Sequence, residues 1–219
     1  IVPYCPRCGT SLSSHEVSQG YADVQDPSVH IKLKLADEDA SFLVWTTTPW
    51  TLISNVALAV GPDHTYVRVR NKGEVLILAE ALVGVLDGDT EVLGTVKGSE
   101  LIGKRYEPCF LFFDKMVDAF RVIGADFVSL KDGTGIVHMA PAFGEDDYNA
   151  GKAENLPMIQ PVDEAGKFTA EVTPWAGMFI KDADPEIITD MKRRGILYRS
   201  GKITHSYPFC WRCKSPLIY

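Results

Sequence analysis

The stretch of sequence that organises this chain is GTGIVHMAPAFGEDD, residues 133–147. Two glycines predict a turn, and the apolar-rich residues 136–140 predict a short strand that a proline ends. Because side chains alternate between the two faces of a strand, His138 shares one face with Ile136 and Ala140. A histidine between apolar neighbours is more often a core residue than a site residue. A functional role for His138 therefore needs a second group of polar residues elsewhere in the chain.

Length and composition bound the class of protein. The chain has 219 residues, enough for one large domain with a core that needs no disulfides. No apolar run approaches the roughly 20 residues of a membrane span, and no signal peptide precedes the first motif. The sequence thus predicts a soluble, cytoplasmic protein without a membrane partner, and we expect a monomer. The chain starts at Ile1 without Met and stops at Tyr219 directly after a motif, so we expect a piece of something longer.

The net charge limits the class of partner. A net charge of -7 argues against a protein that binds nucleic acid with its whole surface, because such domains usually carry a dominant basic face. Brief contact with one RNA end remains compatible with this charge. The basic cluster of Lys192 to Arg194, with Arg199 and Lys202 nearby, equally fits a solvated helix end favoured by the macrodipole.

Each end of the chain carries a C-x-x-C pair, Cys5 with Cys8 and Cys210 with Cys213. This spacing lets one tight turn present two thiolates to a single ion, and two matched pairs are typical of a structural zinc site. Disulfides and a redox C-x-x-C are the alternatives, and the lack of a secretory context disfavours them. We predict structural zinc and no catalytic cofactor, because four protein ligands leave no open position. Cys109 stands alone and is predicted to be buried.

A shared zinc ion would bring the two chain ends side by side, as an inserted domain requires. We therefore predict a single domain over residues 1–219. Its terminal clasp comprises residues 1–14 and 205–219, and its body comprises residues 15–204.

Short strands dominate the predicted body. Period-two alternation of apolar and polar residues predicts the first strand at residues 29–35. Further strands are predicted at residues 41–47, 56–60, 65–69, 74–78, 90–93, 106–113, 120–122 and 136–140. Many short strands at close intervals favour a curled sheet or a β-barrel.

Few helices are predicted, at residues 79–86, 145–154 and 185–194. The last of them has Asp184 as its cap and Pro185 at its first helical position. The predicted fold class is therefore α+β and strand-dominated. It has a curled-sheet or β-barrel core, a few peripheral helices and a zinc-ribbon-like clasp that joins the termini.

A second group of polar residues lies where the predicted strand 41–47 opens into a loop. Thr46, Thr47, Thr48 and Thr51 place four hydroxyls within six residues. Such hydroxyls can orient a carbonyl or a water. Threonine is also a good strand former, so propensity alone favours a structural role for the run.

These segments together resemble a known family. The editing domain inserted in isoleucyl-tRNA synthetases is similar to the following stretches: WTTTPWTL at 45–52 with Asn55 after it, GTGIVH at 133–138, APAFGEDD at 140–147, YCPRCG at 4–9 and HSYPFCWRC at 205–213. Valyl and leucyl relatives carry an Arg and an acidic residue where this chain has Thr48 and Trp50, which favours the isoleucyl family. That family usually has Pro where Ile53 stands, so the loop before Asn55 differs from the usual pattern.

The resemblance implies an activity and a set of partners. The activity is hydrolysis of valine wrongly attached to the isoleucine tRNA, and of its precursor, valyl-adenylate. The implied partners are the valine-carrying 3′ end of that tRNA, valyl-adenylate and the rest of a parent synthetase. One methylene separates the two amino acids by only about 1–3 kcal/mol, isoleucyl-tRNA synthetase being the standard example, so a second and smaller site must remove the error.

The resemblance also implies roles for single residues. Asp147 binds the substrate ammonium, although the sequence alone would allow Asp146 to do so. His138 closes the pocket against the extra carbon of isoleucine, and Asn55 lies in the pocket. The remaining predicted residues hold the carbonyl, the adenosine end and the attacking water: Thr46, Thr47, Thr48 and Thr51. No G-x-S-x-G elbow is present, so we predict no covalent intermediate.

Two other functions remain open at the level of sequence. One is a zinc-stapled RNA-binding or interaction module without turnover. The other is valyl-type editing, in which the hydrolysed ester carries threonine.

Overall fold

The computed structural model describes residues 2–114 and 116–218, so the end residues Ile1 and Tyr219 of the predicted clasp lie outside the described residues. The strands are β1 Tyr4–Cys5, β2 Thr10–Ser11, β3 Tyr21–Lys34, β4 Ser41–Thr46, β5 Ala57–Val60, β6 Thr65–Asn71, β7 Glu74–Ala79, β8 Thr90–Lys97, β9 Arg121–Gly124, β10 Ile136–Met139 and β11 Leu197–Pro208. The helices are α1 Ser14–Ser18, α2 Gly98–Leu101, α3 Glu145–Ala153 and α4 Ile180–Arg193, with 3-10 helices at Pro49–Ser54 and Glu80–Val85. No helix among the described residues is long and apolar enough to cross a membrane.

The strands form three separate sheets within the described ranges. The largest has the order β11-β3-β4-β7-β6-β8, a second has the order β10-β5-β9, and β1 pairs with β2. This arrangement confirms the predicted α+β, strand-dominated class. The sequence predicts a curled sheet or a β-barrel, and because the outer strands β11 and β8 do not pair with each other, the sheets do not close into a barrel.

The main core lies between the two larger sheets. Ile31, Phe42 and Val44 of the six-stranded sheet belong to one buried cluster with Leu58 and Ile136 of the three-stranded sheet. Strand β10 packs against β4 in this core. The end of β4, where the threonines follow, is thereby held next to the strand that carries the histidine.

A close backbone approach fixes the position of β10. The Tyr66 hydroxyl accepts a hydrogen bond from the Gly61 amide at 2.9 Å and donates one to the Gly135 carbonyl at 2.7 Å. The Ala79 amide donates to the Thr134 carbonyl at 2.9 Å. Gly135 has a φ of +70°, and an added Cβ would lie 2.4 Å from the Ala79 Cβ. This turn therefore requires glycine for its conformation and for its space.

Most strand predictions are confirmed with ends within four residues of those predicted, but β3 begins at Tyr21, eight residues before its predicted start at residue 29. The prediction of a strand at 106–113 is wrong, since this segment forms only an isolated bridge between Tyr106 and Leu35. Its apolar residues pack as a loop instead, with Phe110 edge-on to Trp175 at 5.5 Å. The long β11 was not predicted. It pairs along β3 through largely exposed polar residues, so backbone hydrogen bonds rather than an apolar pattern define it.

The start of the last helix differs from its prediction. Helix α4 begins at Ile180, so Asp184 does not cap it and Pro185 lies inside it. Ile180, Ile187 and Met191 form a buried stripe at helical spacing, which holds the extra turn against the core. The predicted helix at 79–86 is a 3-10 helix over Glu80–Val85.

We expect Gly135→Ala to lower the free energy of unfolding by about 2–4 kcal/mol, because the added methyl meets Ala79 and the backbone has a left-handed conformation. Urea denaturation measures the loss. The control is Gly73→Ala, where φ is +85° but no atom of the described residues lies within 4 Å of the added carbon. That variant should lose only about 1 kcal/mol. Equal losses of stability in the two variants would show that the close approach of Gly135 to Ala79 does not constrain the fold.

We also expect His30 to make the fold sensitive to acid. Burial in β3, followed by the nearby charge of Arg199, lowers the pKa of His30 to about 4. The unfolded chain, with an ordinary histidine pKa near 6.5, therefore binds more protons than the folded chain between these pH values. Stability falls as the pH drops through this window, by up to about 1.4 kcal/mol per pH unit.

His30→Phe should remove that part of the pH dependence. Denaturation in urea at pH 7.5 and at pH 5 measures it for both chains. An unchanged difference between the two pH values in the variant would refute this assignment.

Candidate functional site

Four cysteines from the two chain ends meet in the terminal clasp. The sulfurs of Cys5, Cys8, Cys210 and Cys213 all lie within 4.8 Å of one another, and none is in a disulfide. The Cys5 and Cys213 sulfurs are 3.4 Å apart, and those of Cys8 and Cys210 are 4.0 Å apart. Zinc–sulfur bonds of about 2.3 Å place tetrahedral sulfurs about 3.8 Å apart, so these side chains fit a metal ion. Cys109 is buried away from them, as predicted.

The two cysteine turns of the clasp share one backbone shape. The Gly9 amide donates to the Cys5 carbonyl at 2.9 Å, and the Lys214 amide donates to the Cys210 carbonyl at 2.8 Å. Gly9 and Lys214 both have a positive φ, of 64° and 59°. The clasp is thus two equivalent knuckles, one from each end of the chain.

A cavity of about 370 Å³ lies where the predicted site segments meet. Thr46 and Thr47 at the end of β4 line it, as do His138 of β10 and Asp146 and Asp147 of α3. The two groups of polar residues that the sequence placed far apart therefore share one cavity. Phe127, Ser129 and Asp132 also line the cavity, and they lie outside the segments that the sequence pointed to.

A chain of hydroxyls connects the threonine loop to the histidine. The hydroxyl oxygens of Thr46 and Thr48 are 3.3 Å apart, and those of Thr48 and Thr51 are 3.0 Å apart. The Thr51 hydroxyl oxygen lies 3.0 Å from Nε2 of His138. Thr46 also accepts a hydrogen bond from the Thr48 amide at 3.1 Å. Thr48 and Thr51 are not among the residues that line the cavity. Their hydrogen bonds instead support Thr46 and His138, which do line it.

The direction of these hydrogen bonds sets the tautomer of His138. We assign the single proton of the Thr51 hydroxyl to its shortest contact, the Thr48 carbonyl at 2.7 Å, so that the Thr51 oxygen accepts from His138. Nε2 of His138 is then the protonated nitrogen, and Nδ1 is an acceptor. Nδ1 is buried and has no hydrogen-bond partner among the described residues. Burial lowers the pKa of His138, against the opposing charge of Asp147, so the ring is neutral at pH 7.

Asp147 is held at the end of β10 by the backbone. Its Oδ2 accepts from the Ala140 amide at 2.8 Å. Gly144, just before α3, allows this packing, because a Cβ there would lie 3.1 Å from Cγ of Asp147. Asp147 is half-buried, whereas Asp146 is exposed at the cavity rim.

Asn55 has a different environment from the other predicted site residues. It is buried, its Nδ2 donates to the Ala57 carbonyl at 2.9 Å, and its Oδ1 accepts from the Tyr106 hydroxyl at 2.7 Å. Asn55 is not among the residues that line the cavity. Its amide joins the threonine loop to the segment at 106, and its role toward substrate stays a prediction.

Comparison with known proteins identifies relatives over the whole chain. The isoleucine–tRNA ligase of Clostridium kluyveri is 57% identical over 219 residues, which are all of this chain and 21% of that protein. The isoleucine–tRNA ligase of Thermoplasma volcanium is 50% identical over 220 residues, with the same coverage. The chain thus spans about a fifth of the length of these relatives. No protein-family model matches the sequence.

The fold is similar to that of solved editing domains. The Plasmodium falciparum cytosolic leucyl-tRNA synthetase editing domain matches 80% of this chain and 99% of its own, with a TM-score of 0.61 at 10% identity. This match shows a shared fold over most of the chain.

Proposed function

We propose that this chain, whose homologues over its full length are isoleucine–tRNA ligases, is the hydrolytic editing domain of such an enzyme. The proposed substrates are valine esterified to the isoleucine tRNA and its precursor, valyl-adenylate. The observation that carries the proposal is the shared cavity of Thr46, Thr47, His138 and Asp147. The fold likeness to a leucyl editing domain supports it.

A negative charge in the cavity suits the substrate ammonium. One oxygen of Asp147 accepts from the Ala140 amide, which leaves the other for a charge-assisted hydrogen bond. Asp146 adds a second carboxylate at the exposed rim. Since Asp147 is the more buried and the more firmly held of the two, we assign ammonium binding to it.

The hydroxyl chain and the histidine suit the ester. Thr46 and Thr47 line the cavity, where hydroxyls can orient a carbonyl oxygen and an attacking water. Nδ1 of His138 is buried, so this side chain offers the substrate the surface of its ring rather than a hydrogen bond. Because His138 lines the cavity, its uncharged ring can exclude one further carbon by its size. Rate then comes from orientation and electrostatics, without a covalent intermediate.

The remaining parts of the proposal concern the context of the domain. The clasp binds one structural zinc ion, which joins the chain ends where they meet the rest of a parent synthetase. The domain acts as a monomer in the cytoplasm, on the 3′ end of the isoleucine tRNA. No step of the reaction uses the zinc.

We expect the chain to release valine from mischarged isoleucine tRNA and to leave the isoleucyl ester intact. Asp147→Asn should lower this deacylation about 10- to 100-fold, because a charge-assisted hydrogen bond to the ammonium contributes about 1.5–3 kcal/mol. The asparagine Oδ1 can still accept from Ala140, so the melting temperature should change little. Asp146→Asn, on the exposed neighbour, is the matched control and should lose less than about 3-fold.

The same assay separates the alternative functions. Release of neither amino acid would support an RNA-binding or interaction module without turnover. Preference for a threonyl ester would support valyl-type editing. Full activity in Asp147→Asn would remove the assigned role of that carboxylate.

For the clasp, we expect one equivalent of zinc per chain by elemental analysis. Cys8→Ser should lose the metal and lower the melting temperature, because three thiolates bind zinc more weakly than four. Cys109→Ala, outside the clasp, should retain one equivalent. The zinc site would be contradicted if a chain purified without chelator contained no metal and had four titratable clasp thiols.

A further inference from the structure

The 3-10 helix that follows the threonines lacks a local cap. Thr48 occupies the cap position of the helix Pro49–Ser54 but makes no side-chain capping hydrogen bond. Pro49 has no amide proton, so the Trp50 amide is the first donor of the helix that needs a partner. This helix carries Thr51, and its start therefore determines where the hydroxyl chain lies.

The missing cap comes from a distant helix. Oδ1 of Asp184 in α4 accepts from the Trp50 amide at 2.8 Å, across 134 residues of sequence. Asp184 is only 5% exposed, and α4 packs directly against the 3-10 helix. An unpaired buried amide costs about 1–3 kcal/mol, so this contact holds the start of the helix in place.

The remote cap leaves the Thr48 hydroxyl available. A threonine at a helix cap normally accepts from an amide two or three residues further on. Here the Trp50 amide is already engaged by Asp184, and the Thr48 hydroxyl lies 3.0 Å from the Thr51 hydroxyl instead. The Thr51 hydroxyl in turn accepts from His138. Without Asp184, the Thr48 hydroxyl would turn toward the Trp50 amide and break the chain.

We propose that Asp184 is a positioning residue for the editing reaction, which keeps the Thr48 hydroxyl in the chain that orients Thr51 and His138. This inference rests on the proposed function. Asp184 does not line the cavity, so it acts through Thr48 rather than on the substrate.

The positioning role does not require Asp184 to be charged. Burial raises its pKa to about 7, opposed by the Trp50 hydrogen bond and by the charge of Lys181, while Asp26 raises it further. Either protonation state keeps an oxygen that can accept from the Trp50 amide. Asp184→Asn should therefore preserve the positioning role.

The test compares Asp184→Ala and Asp184→Asn in the full chain, with the exposed Asp182→Asn of the same helix as the matched control. We expect Asp184→Ala to lower kcat for valyl-tRNA deacylation about 10- to 100-fold, with KM changed less than about 3-fold, because the cavity keeps its ammonium site. Asp184→Asn and Asp182→Asn should stay within about 3-fold of the unsubstituted chain. Wild-type kcat in a folded Asp184→Ala would overturn the proposal, as would an equal loss in Asp184→Asn. If the alanine variant unfolds, Asp184→Leu removes the acceptor while filling the same space.

A double substitution tests the route through Thr48. In a Thr48→Val background the hydroxyl is already absent, so adding Asp184→Ala should cost less than about 2-fold more. A further loss as large as that of Asp184→Ala alone would mean that Asp184 acts on stability or by another path, and would overturn the proposal.

Nitrogen NMR of His138 separates failure of this inference from failure of the proposed function. The unsubstituted chain should show Nε2 protonated and hydrogen-bonded, and Asp184→Ala should shift the Nε2 resonance, because its acceptor, the Thr51 hydroxyl, has lost its contact with the Thr48 hydroxyl. If the unsubstituted chain deacylates nothing, the proposed function fails and the NMR comparison still decides whether Asp184 holds the hydroxyl chain. An identical His138 spectrum in both chains would overturn the inference whatever the activity.

Discussion

The close packing of the Gly135 backbone against Ala79 and the Tyr66 hydroxyl is the constraint on which the rest of the site depends. It fixes one end of β10 against the six-stranded sheet, while β10 pairs along β5 on its other side. The strand cannot shift toward or away from β4 without breaking buried hydrogen bonds, and each such break is costly. His138, which lies three residues further on, consequently has a fixed distance to the threonine loop.

Hydrogen bonds of buried polar groups are a second constraint on the position of the threonine loop. Thr51 with His138, Trp50 with Asp184 and Asn55 with Tyr106 each join segments that are far apart in sequence. A buried polar group without a partner is strongly disfavoured, so these pairs allow few alternative arrangements of the loop. Such rigidity suits the proposed function, because distinguishing two aliphatic side chains by size and aligning water with an ester both need fixed geometry rather than strong binding. Among the described residues, three buried side-chain atoms have no hydrogen-bond partner: the hydroxyl oxygens of Ser54 and Thr169, and Nδ1 of His138.

The sequence by itself determined the strand-dominated class, the meeting of the two chain ends and the main segments of the site. These features rest on local signals: period-two alternation, the paired cysteine spacing, and a threonine run and a His–Asp segment at strand ends. Such signals work because one strand face is buried and because a C-x-x-C turn presents both sulfurs to one point. They fail where an element lacks an apolar pattern, as in the exposed β11, or where apolar residues pack as a loop, as at 106–113.

Only the tertiary structure shows that the sheets stay open and that Thr48 and Thr51 support the cavity lining from outside it. It alone also shows which groups pair with the buried polar side chains. Asp184 has the sequence signal of a helix cap, because it precedes a proline, yet α4 begins earlier and its carboxylate binds the Trp50 amide. Asn55 follows the threonines, yet Tyr106 and Ala57 take up its amide. Hydrogen bonds between residues 51 to 134 positions apart leave no periodic trace in the chain, so only the packing of α4, β10 and the segment at 106 against the threonine loop reveals them.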